Sequence, residues 1–173
     1  MKKIILAAIA VMTVGFASAQ EQTKKGKYLI EGNTSFGATG TGNTGFALSS
    51  EDGTTSWNIG AEGGYFVMDN LAVKAGLGYG DTGADYGGSM FSYKVGAKYY
   101  VINKIPFELS YTGASVKDAD ENPSYLGIQG GYAWFIGNNI SIEPGLRYNL
   151  TLNDNYGTGK DVLQFNIGFA LHF

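Results

Sequence analysis

The chain has 173 residues, of which 12 are basic and 15 acidic, a formal net charge of −3, and no cysteine. Disulfide stapling, a lipid-anchored cysteine and thiolate metal sites are thereby excluded, and the acidic balance argues against nucleic acid, which binds a basic surface. Glycine at 27 residues, with 12 tyrosines, 10 phenylalanines and only 3 prolines, points to many strands and turns.

Lys2 and Lys3 precede an apolar run from Ile4 to Phe16, and Ala17-Ser18-Ala19 then supplies the small-x-small pattern of a signal-peptidase site. Residues 1–19 read as a cleavable secretory leader, with the mature chain starting at Gln20. The run is shorter than the roughly 20 residues a membrane-spanning helix needs, and no later segment approaches that length. Loss of Lys2 and Lys3 takes the 12 basic residues to 10 against 15 acidic ones.

From Tyr28 onward the chain alternates. Tyr28, Ile30, Gly32, Thr34 and Phe36 form one face of a first segment, with Leu29, Glu31, Asn33 and Ser35 on the other. Trp57, Ile59, Ala61, Gly63, Tyr65 and Val67 alternate with Asn58, Gly60, Glu62, Gly64 and Phe66. Leu71, Val73, Ala75, Leu77 and Tyr79 enclose Ala72, Lys74, Gly76 and Gly78; Phe91 to Val101 enclose Ser92, Lys94, Gly96, Lys98 and Tyr100. Phe107, Leu109, Tyr111 and Gly113 enclose Glu108, Ser110 and Thr112; Leu126 to Trp134 enclose Gly127, Gln129, Gly131 and Ala133. Ile140 to Leu150 enclose Ser141, Glu143, Gly145, Arg147 and Asn149, and a last segment runs from Leu163 to Phe173. No apolar-face position is charged in a chain that is 16% charged, so the period of two is not chance. It predicts eight half-buried strands.

Met68 to Asn70, Ile102 to Ile105 and Phe135 to Asn139 are short connections. Segments 38–56, 80–90, 114–125 and 151–162 are long and rich in Gly, Ser, Thr and Asp. Short turns at one end and long loops at the other predict an antiparallel up-and-down barrel.

Alternation does not say which face points inward. Three features place the apolar face outward, toward lipid. First, its aromatics sit near strand ends (Trp57 and Tyr65 around Ile59 and Ala61, Tyr93 and Tyr99 around Val95 and Ala97), as in paired interfacial girdles. Second, the other face carries Glu31, Glu62, Glu108 and Glu143 against Lys74, Lys94, Lys98 and Arg147, a balance suited to a narrow interior where an unpaired charge is costly. With the turn at Asn103 setting register, Lys98 falls opposite Glu108 as a cross-strand pair. Third, a closed barrel satisfies every backbone group in hydrocarbon. Pro144 removes one donor from such a wall, which predicts a local irregularity there.

The chain ends Asn166-x-Gly168-x-x-Leu171-x-Phe173, which resembles the C-terminal assembly signal of bacterial outer-membrane proteins. Leader, eight strands and terminal Phe together resemble the small outer-membrane β-barrels of the OmpX and OmpA-transmembrane type. The resemblance implies an all-β, eight-stranded antiparallel up-and-down transmembrane β-barrel over 27–173, with 20–26 a short periplasmic segment. It implies the outer-membrane assembly machinery and outer-membrane lipids as partners.

Other motifs carry little. Gly78-Tyr-Gly80-Asp-Thr-Gly83 matches a dinucleotide fingerprint, but a loop and a strand follow where a helix is needed. Asp118-Ala-Asp120-Glu-Asn122 resembles the start of a calcium loop, with Pro123 and Gln129 where glycine and glutamate belong. The acidic loops leave weak divalent-cation bridging as a hypothesis. His172, the only histidine, reads as a solvated or hydrogen-bonded rim residue at the short-turn end. No catalytic, cofactor or metal site is expected. Eight strands give an interior that side chains fill, so the expected role is structural or surface-interacting, through loops 38–56, 80–90, 114–125 and 151–162. The alternative is a narrow pore or a conduit for a small hydrophobic ligand.

Overall fold

The computed structural model describes residues 21–36, 44–51, 54–81, 83, 88–155 and 159–173; the leader read over 1–19 lies outside the described residues. Among the described residues ten strands form one sheet: β1 Tyr28–Phe36, β2 Ala47–Glu51, β3 Thr54–Met68, β4 Leu71–Asp81, β5 Ser89–Val101, β6 Ile105–Val116, β7 Ser124–Gly131, β8 Trp134–Phe135, β9 Ile140–Thr151 and β10 Val162–His172. They make eight staves, because β8 continues β7 along β9 and β2 is a short arm on the long-loop end of β3. The sheet closes through β1, which pairs with β10 from Leu29↔His172 to Phe36↔Phe165 and with β3 from Tyr28↔Tyr65 to Glu31↔Glu62.

The alternation in the sequence becomes two surfaces. On β4, Ala72, Lys74, Gly76, Gly78 and Gly80 are buried while Val73, Ala75, Leu77 and Tyr79 are exposed. Leu77 is 60% exposed and Ile59 57%, whereas Lys98 is 1% and Arg147 0%. This inverts the usual order, in which charged groups are almost never buried unless paired and a contiguous apolar surface marks an interaction face.

Several strands run further than apolar alternation foretold. β3 begins at Thr54, β5 at Ser89, β6 extends to Val116, and β2 lies inside the expected first loop. Thr54, Thr55 and Ser56 pair with Glu51, Ser50 and Ser49 although they bear polar side chains. Above the apolar belt the ladder continues with polar residues facing outward, so the apolar signal ends before the strand does.

The segment read as one strand from Leu126 to Trp134 is broken at Tyr132–Ala133, opposite Pro144. Pro144 has no N–H to give. Its carbonyl still accepts from Tyr132 N at 3.0 Å, and Ala133 N turns away to the Lys104 carbonyl at 2.6 Å. The irregularity expected at Pro144 thus falls on the neighbouring strand, which bends to satisfy its own donors elsewhere.

At the short-turn end the inner face is apolar rather than ionic. Leu29, Phe66, Ala72, Tyr100, Ala133, Phe135 and Ala170 fill the mouth. The segment before β1 folds over it: Thr23 is buried, its Oγ1 donates to Asn70 Oδ1 at 2.5 Å, and Asn70 N donates to the Thr23 carbonyl at 2.6 Å. Asn70 (φ 67°) and Asn103 (φ 62°) take the left-handed turn conformation that asparagine tolerates, and Asn70 Nδ2 donates to Asn103 Oδ1 at 3.1 Å, tying adjacent turns.

Candidate functional site

The barrel interior brings all eight charged inner-face residues into one network. Lys74, on β4, places its ammonium 2.7 Å from an oxygen of each of three carboxylates: Glu31 on β1, Glu62 on β3 and Glu108 on β6. Lys94 on β5 bridges Glu62 at 2.9 Å and Glu108 at 2.7 Å. Lys98, two pleat repeats beyond Lys94 toward the short-turn end, bridges Glu31 at 2.8 Å and Glu143 of β9 at 2.5 Å. Arg147 Nη1 reaches Glu108 at 3.1 Å. Four acids meet four bases, and all are buried. A group removed from such a set strands its partner in a low dielectric.

The pairing differs from the expected one in one respect. Lys98 does stand opposite Glu108 in the β5–β6 register. Its ammonium nevertheless goes to Glu31 and Glu143, while Glu108 takes Lys74, Lys94 and Arg147. In a lumen this narrow the far wall is as reachable as the next strand.

Neutral groups complete the network. Arg147 Nε donates to Asn149 Oδ1 at 2.7 Å, and its Nη2 donates to Ser110 at 2.9 Å and Thr112 at 3.0 Å. Gly127 makes room for that guanidinium; a Cβ there would stand 1.9 Å from Nη2. Thr44 Oγ1 donates to Glu62 Oε1 at 2.8 Å. Thr44 lies against the inner faces of Gly60 and Gly76, so this part of segment 38–56 enters the barrel instead of projecting from it. Residues 38–43 and 52–53 of that segment are outside the described residues.

His172 is fully buried and hydrogen-bonded, so of the two settings expected for it the solvated one does not hold. Its ring packs against Phe135 at 5.2 Å and Phe66 at 6.2 Å, and Nε2 lies 3.0 Å from Ser141 Oγ. Ser141 Oγ donates to Glu143 Oε1 at 2.7 Å, and the Tyr100 hydroxyl donates to the same oxygen at 2.9 Å. The order is carboxylate, serine, imidazole, with the serine in the middle and its hydroxyl proton on the carboxylate. A nucleophile needs the base beside it to take that proton, so this is a structural link between the ionic tier and the aromatic plug.

Glu31, Glu62 and Glu108 approach one another closely enough to hold a metal ion, but the Lys74 ammonium already occupies the centre of the three. The other motifs resolve locally. Gly78 and Gly80 lie within β4, Gly83 N donates to Asp81 Oδ1 at 2.8 Å, and the next described element is β5 from Ser89. Glu121 Oε2 accepts from Asn153 Nδ2 at 2.9 Å, tying two loops, and Asn122 Oδ1 accepts from Val116 N at 2.8 Å within its own loop, so both side chains of the calcium-loop resemblance have protein partners. Asp161, at the foot of the last long loop, accepts from Thr151 N at 2.9 Å and Tyr148 Oη at 2.8 Å. Those bonds, the backbone one first, hold its carboxyl below the usual range.

Of the terminal motif, Asn166 is buried and donates to Gln129 Oε1 at 3.2 Å, while Leu171 and Phe173 face outward. Gly168 lacks a Cβ where one would stand 3.0 Å from both Asn33 Oδ1 and Glu31 Oε1. Phe173 stacks on Tyr28 at 6.0 Å, and their backbones exchange bonds of 2.7 and 3.1 Å across the closing seam.

No protein-family model matches the chain, and no curated protein matches it. Among solved structures, Neisserial surface protein A (NspA) is 16% identical over 86% of this chain and 98% of its own, with a TM-score of 0.53. The chain has the fold of the small outer-membrane β-barrels. The outer membrane protein OprG from Pseudomonas aeruginosa is 12% identical over 88% of this chain and 98% of its own, with a TM-score of 0.50. At these identities the outer-membrane barrel fold is what is shared.

Proposed function

We propose that the protein is an integral bacterial outer-membrane barrel, exported by its leader, with a structural or surface-interaction role and no enzymatic one. The observation that carries this reading is the inversion of the two faces. Leu77, Ile59 and Val95 are exposed in a belt ending in Trp57, Tyr79, Tyr28 and Tyr65, and the ions are inside. Only a lipid solvent makes that arrangement favourable, because exposed apolar surface in water is costly and a closed wall leaves no backbone group unpaired in hydrocarbon.

The interior supports a plugged barrel over a wide pore. Lys74, Lys94, Lys98 and Arg147 reach past the adjacent strand to carboxylates further round the inner wall, and Phe66, Tyr100 and Phe135 close the short-turn mouth. Partner recognition then belongs to the long loops, and assembly to Asn166, Gly168, Leu171 and Phe173 at the closing strand.

Two experiments test the reading. Fractionation to the outer membrane with heat-modifiable gel mobility supports it. Spin labels at Val95 and Ile142 should report lipid, and labels at Lys94 and Glu143 a protein interior; the reverse result defeats it. Planar bilayers should stay electrically quiet. Steady unitary currents that change on neutralising Lys94 or Arg147 would establish the narrow pore instead.

A further inference from the structure

The barrel's short-turn end carries a feature that a plugged anchor does not need: three lysines within four residues, Lys24, Lys25 and Lys27, on a turn fixed to the rim. Lys25 N donates to Asp69 Oδ1 at 2.9 Å, Gly26 N donates to the Phe66 carbonyl at 2.9 Å, and Phe66 N donates back to the Lys27 carbonyl at 2.9 Å. Gly26 bends the turn at φ 92°, and the buried Thr23 anchors its other side. The lysines are therefore held at one place instead of trailing from a tail.

That place is the edge of the lipid-facing belt. Lys27 immediately precedes Tyr28, whose exposed ring lies 5.2 Å from Tyr65 and stacks on Phe173. These three rings rim a groove on the outer wall, with Gly63, Val73, Ala75 and Val95 along it. Rings of this kind settle at the headgroup boundary, so the lysine turn stands level with the headgroups. The nearby acids among the described residues are Glu21, which makes a 3.6 Å exposed pair with Lys24, and Asp69, whose Oδ1 is engaged by the Lys25 amide. An exposed pair such as Lys24–Glu21 neutralises little.

We infer that this turn and the groove beneath it form a seat for one anionic phospholipid of the adjoining leaflet, with its phosphate at Lys24, Lys25 and Lys27 and an acyl chain between Tyr28, Tyr65 and Val95. The inference rests on the outer wall facing lipid. Basic side chains beside an anionic surface each favour it by a several-fold factor, screened by salt. The loop end offers no counterpart among the described residues, since Asp81, Asp118, Asp120, Glu121, Asp154 and Asp161 there face only Lys117 and Lys160.

The test uses the mature chain from Gln20 refolded into phosphatidylcholine vesicles containing spin-labelled phosphatidylglycerol or spin-labelled phosphatidylcholine. Heat-modifiable mobility, scored in the same samples, reports the barrel separately. A several-fold preference for phosphatidylglycerol at low salt is expected. It should vanish in molar salt and in the variant K24Q/K25Q/K27Q, and Ala75→Phe should reduce it by filling the groove. Lys25→Gln alone, which keeps every backbone bond of the turn, guards against misfolding of the triple variant and should lower the preference partway. A folded barrel with no preference overturns the inference and leaves the membrane reading standing. A preference that survives the lysine substitutions also overturns it, because the anionic lipid then binds elsewhere.

Discussion

Lys98 and Glu108 stand directly opposite each other on neighbouring strands, yet the lysine's ammonium bridges Glu31 and Glu143 on the other side of the lumen. Register fixes where a side chain starts. In a lumen that two long side chains can span, the total arrangement of charge decides where it ends. Glu108 already faces Lys74, Lys94 and Arg147, and Lys98 is the cation within reach of Glu143 among the described residues.

A double-mutant cycle should expose this. Lys98→Met and Glu143→Gln, measured by urea unfolding of the barrel in lipid vesicles, should couple strongly, and Lys98→Met with Glu108→Gln weakly. Removing Lys98 alone leaves Glu143 and Glu31 short of a cation and should cost about 3–5 kcal/mol. Stronger coupling for the adjacent pair than for the distant one would refute the assignment.

Gly127 and Gly130 lie three residues apart on β7 and should respond differently to alanine. At Gly127 a methyl would meet the Arg147 guanidinium, which Glu108, Ser110, Thr112 and Asn149 all hold in place. Gly127→Ala should therefore lower stability by about 1–3 kcal/mol through overpacking and lost bonds. At Gly130 the nearest atom is a Phe107 ring carbon at 3.3 Å on the outer wall, which can tilt into lipid. Gly130→Ala should be nearly neutral. The temperature at which each variant loses its folded gel mobility compares them.

Pro144→Ala tests whether the break in the wall is caused or merely accompanied by the missing donor. Ala133 N already has the Lys104 carbonyl, so restoring an N–H at 144 gives the bent strand little reason to straighten. Stability should change by less than about 1 kcal/mol, and amide exchange at Ala133 should remain slow. A large gain with Ala133 repaired into the ladder would show that proline alone imposes the bend.

The barrel was legible in the chain because each stave obeys one simple rule: the apolar positions of Leu77, Val95 or Leu109 recur at every second residue, and the charged ones fall between. The residues of the ionic network were legible for the same reason. Their pairing was not, since Lys98 and Glu143 are distant in sequence and meet only after closure. The aromatic plug was hidden within the same alternation, because Leu29, Phe66 and Tyr100 share a face with Glu31, Glu62 and Lys98 and differ only in height along the axis. His172 looked like a rim residue for being next to last. It is buried because β10 ends under Phe66, Tyr100 and Phe135. Polar strand ends such as Thr54–Ser56 carry no apolar signal, so the ladder outran the pattern.

Asp161 gives the loop end a pH dependence of definite sign. Its carboxylate accepts from Thr151 N and Tyr148 Oη, which holds its pKa in the folded protein below the unfolded value of 3.8. A depressed acid contributes stability that is complete above the unfolded value and is lost as pH falls through the folded one. The foot of the β9–β10 connection should thus be tight at neutral pH and loosen only in strongly acidic solution. Amide exchange at Thr151, followed by NMR in detergent micelles, should stay protected down to about pH 4 and rise below it. Asp161→Asn, which keeps an acceptor but removes the charge, should weaken protection at neutral pH and flatten its acid dependence. Protection at Thr151 that is lost instead near neutral pH would assign the titration to another group and detach Asp161 from the loop's anchoring.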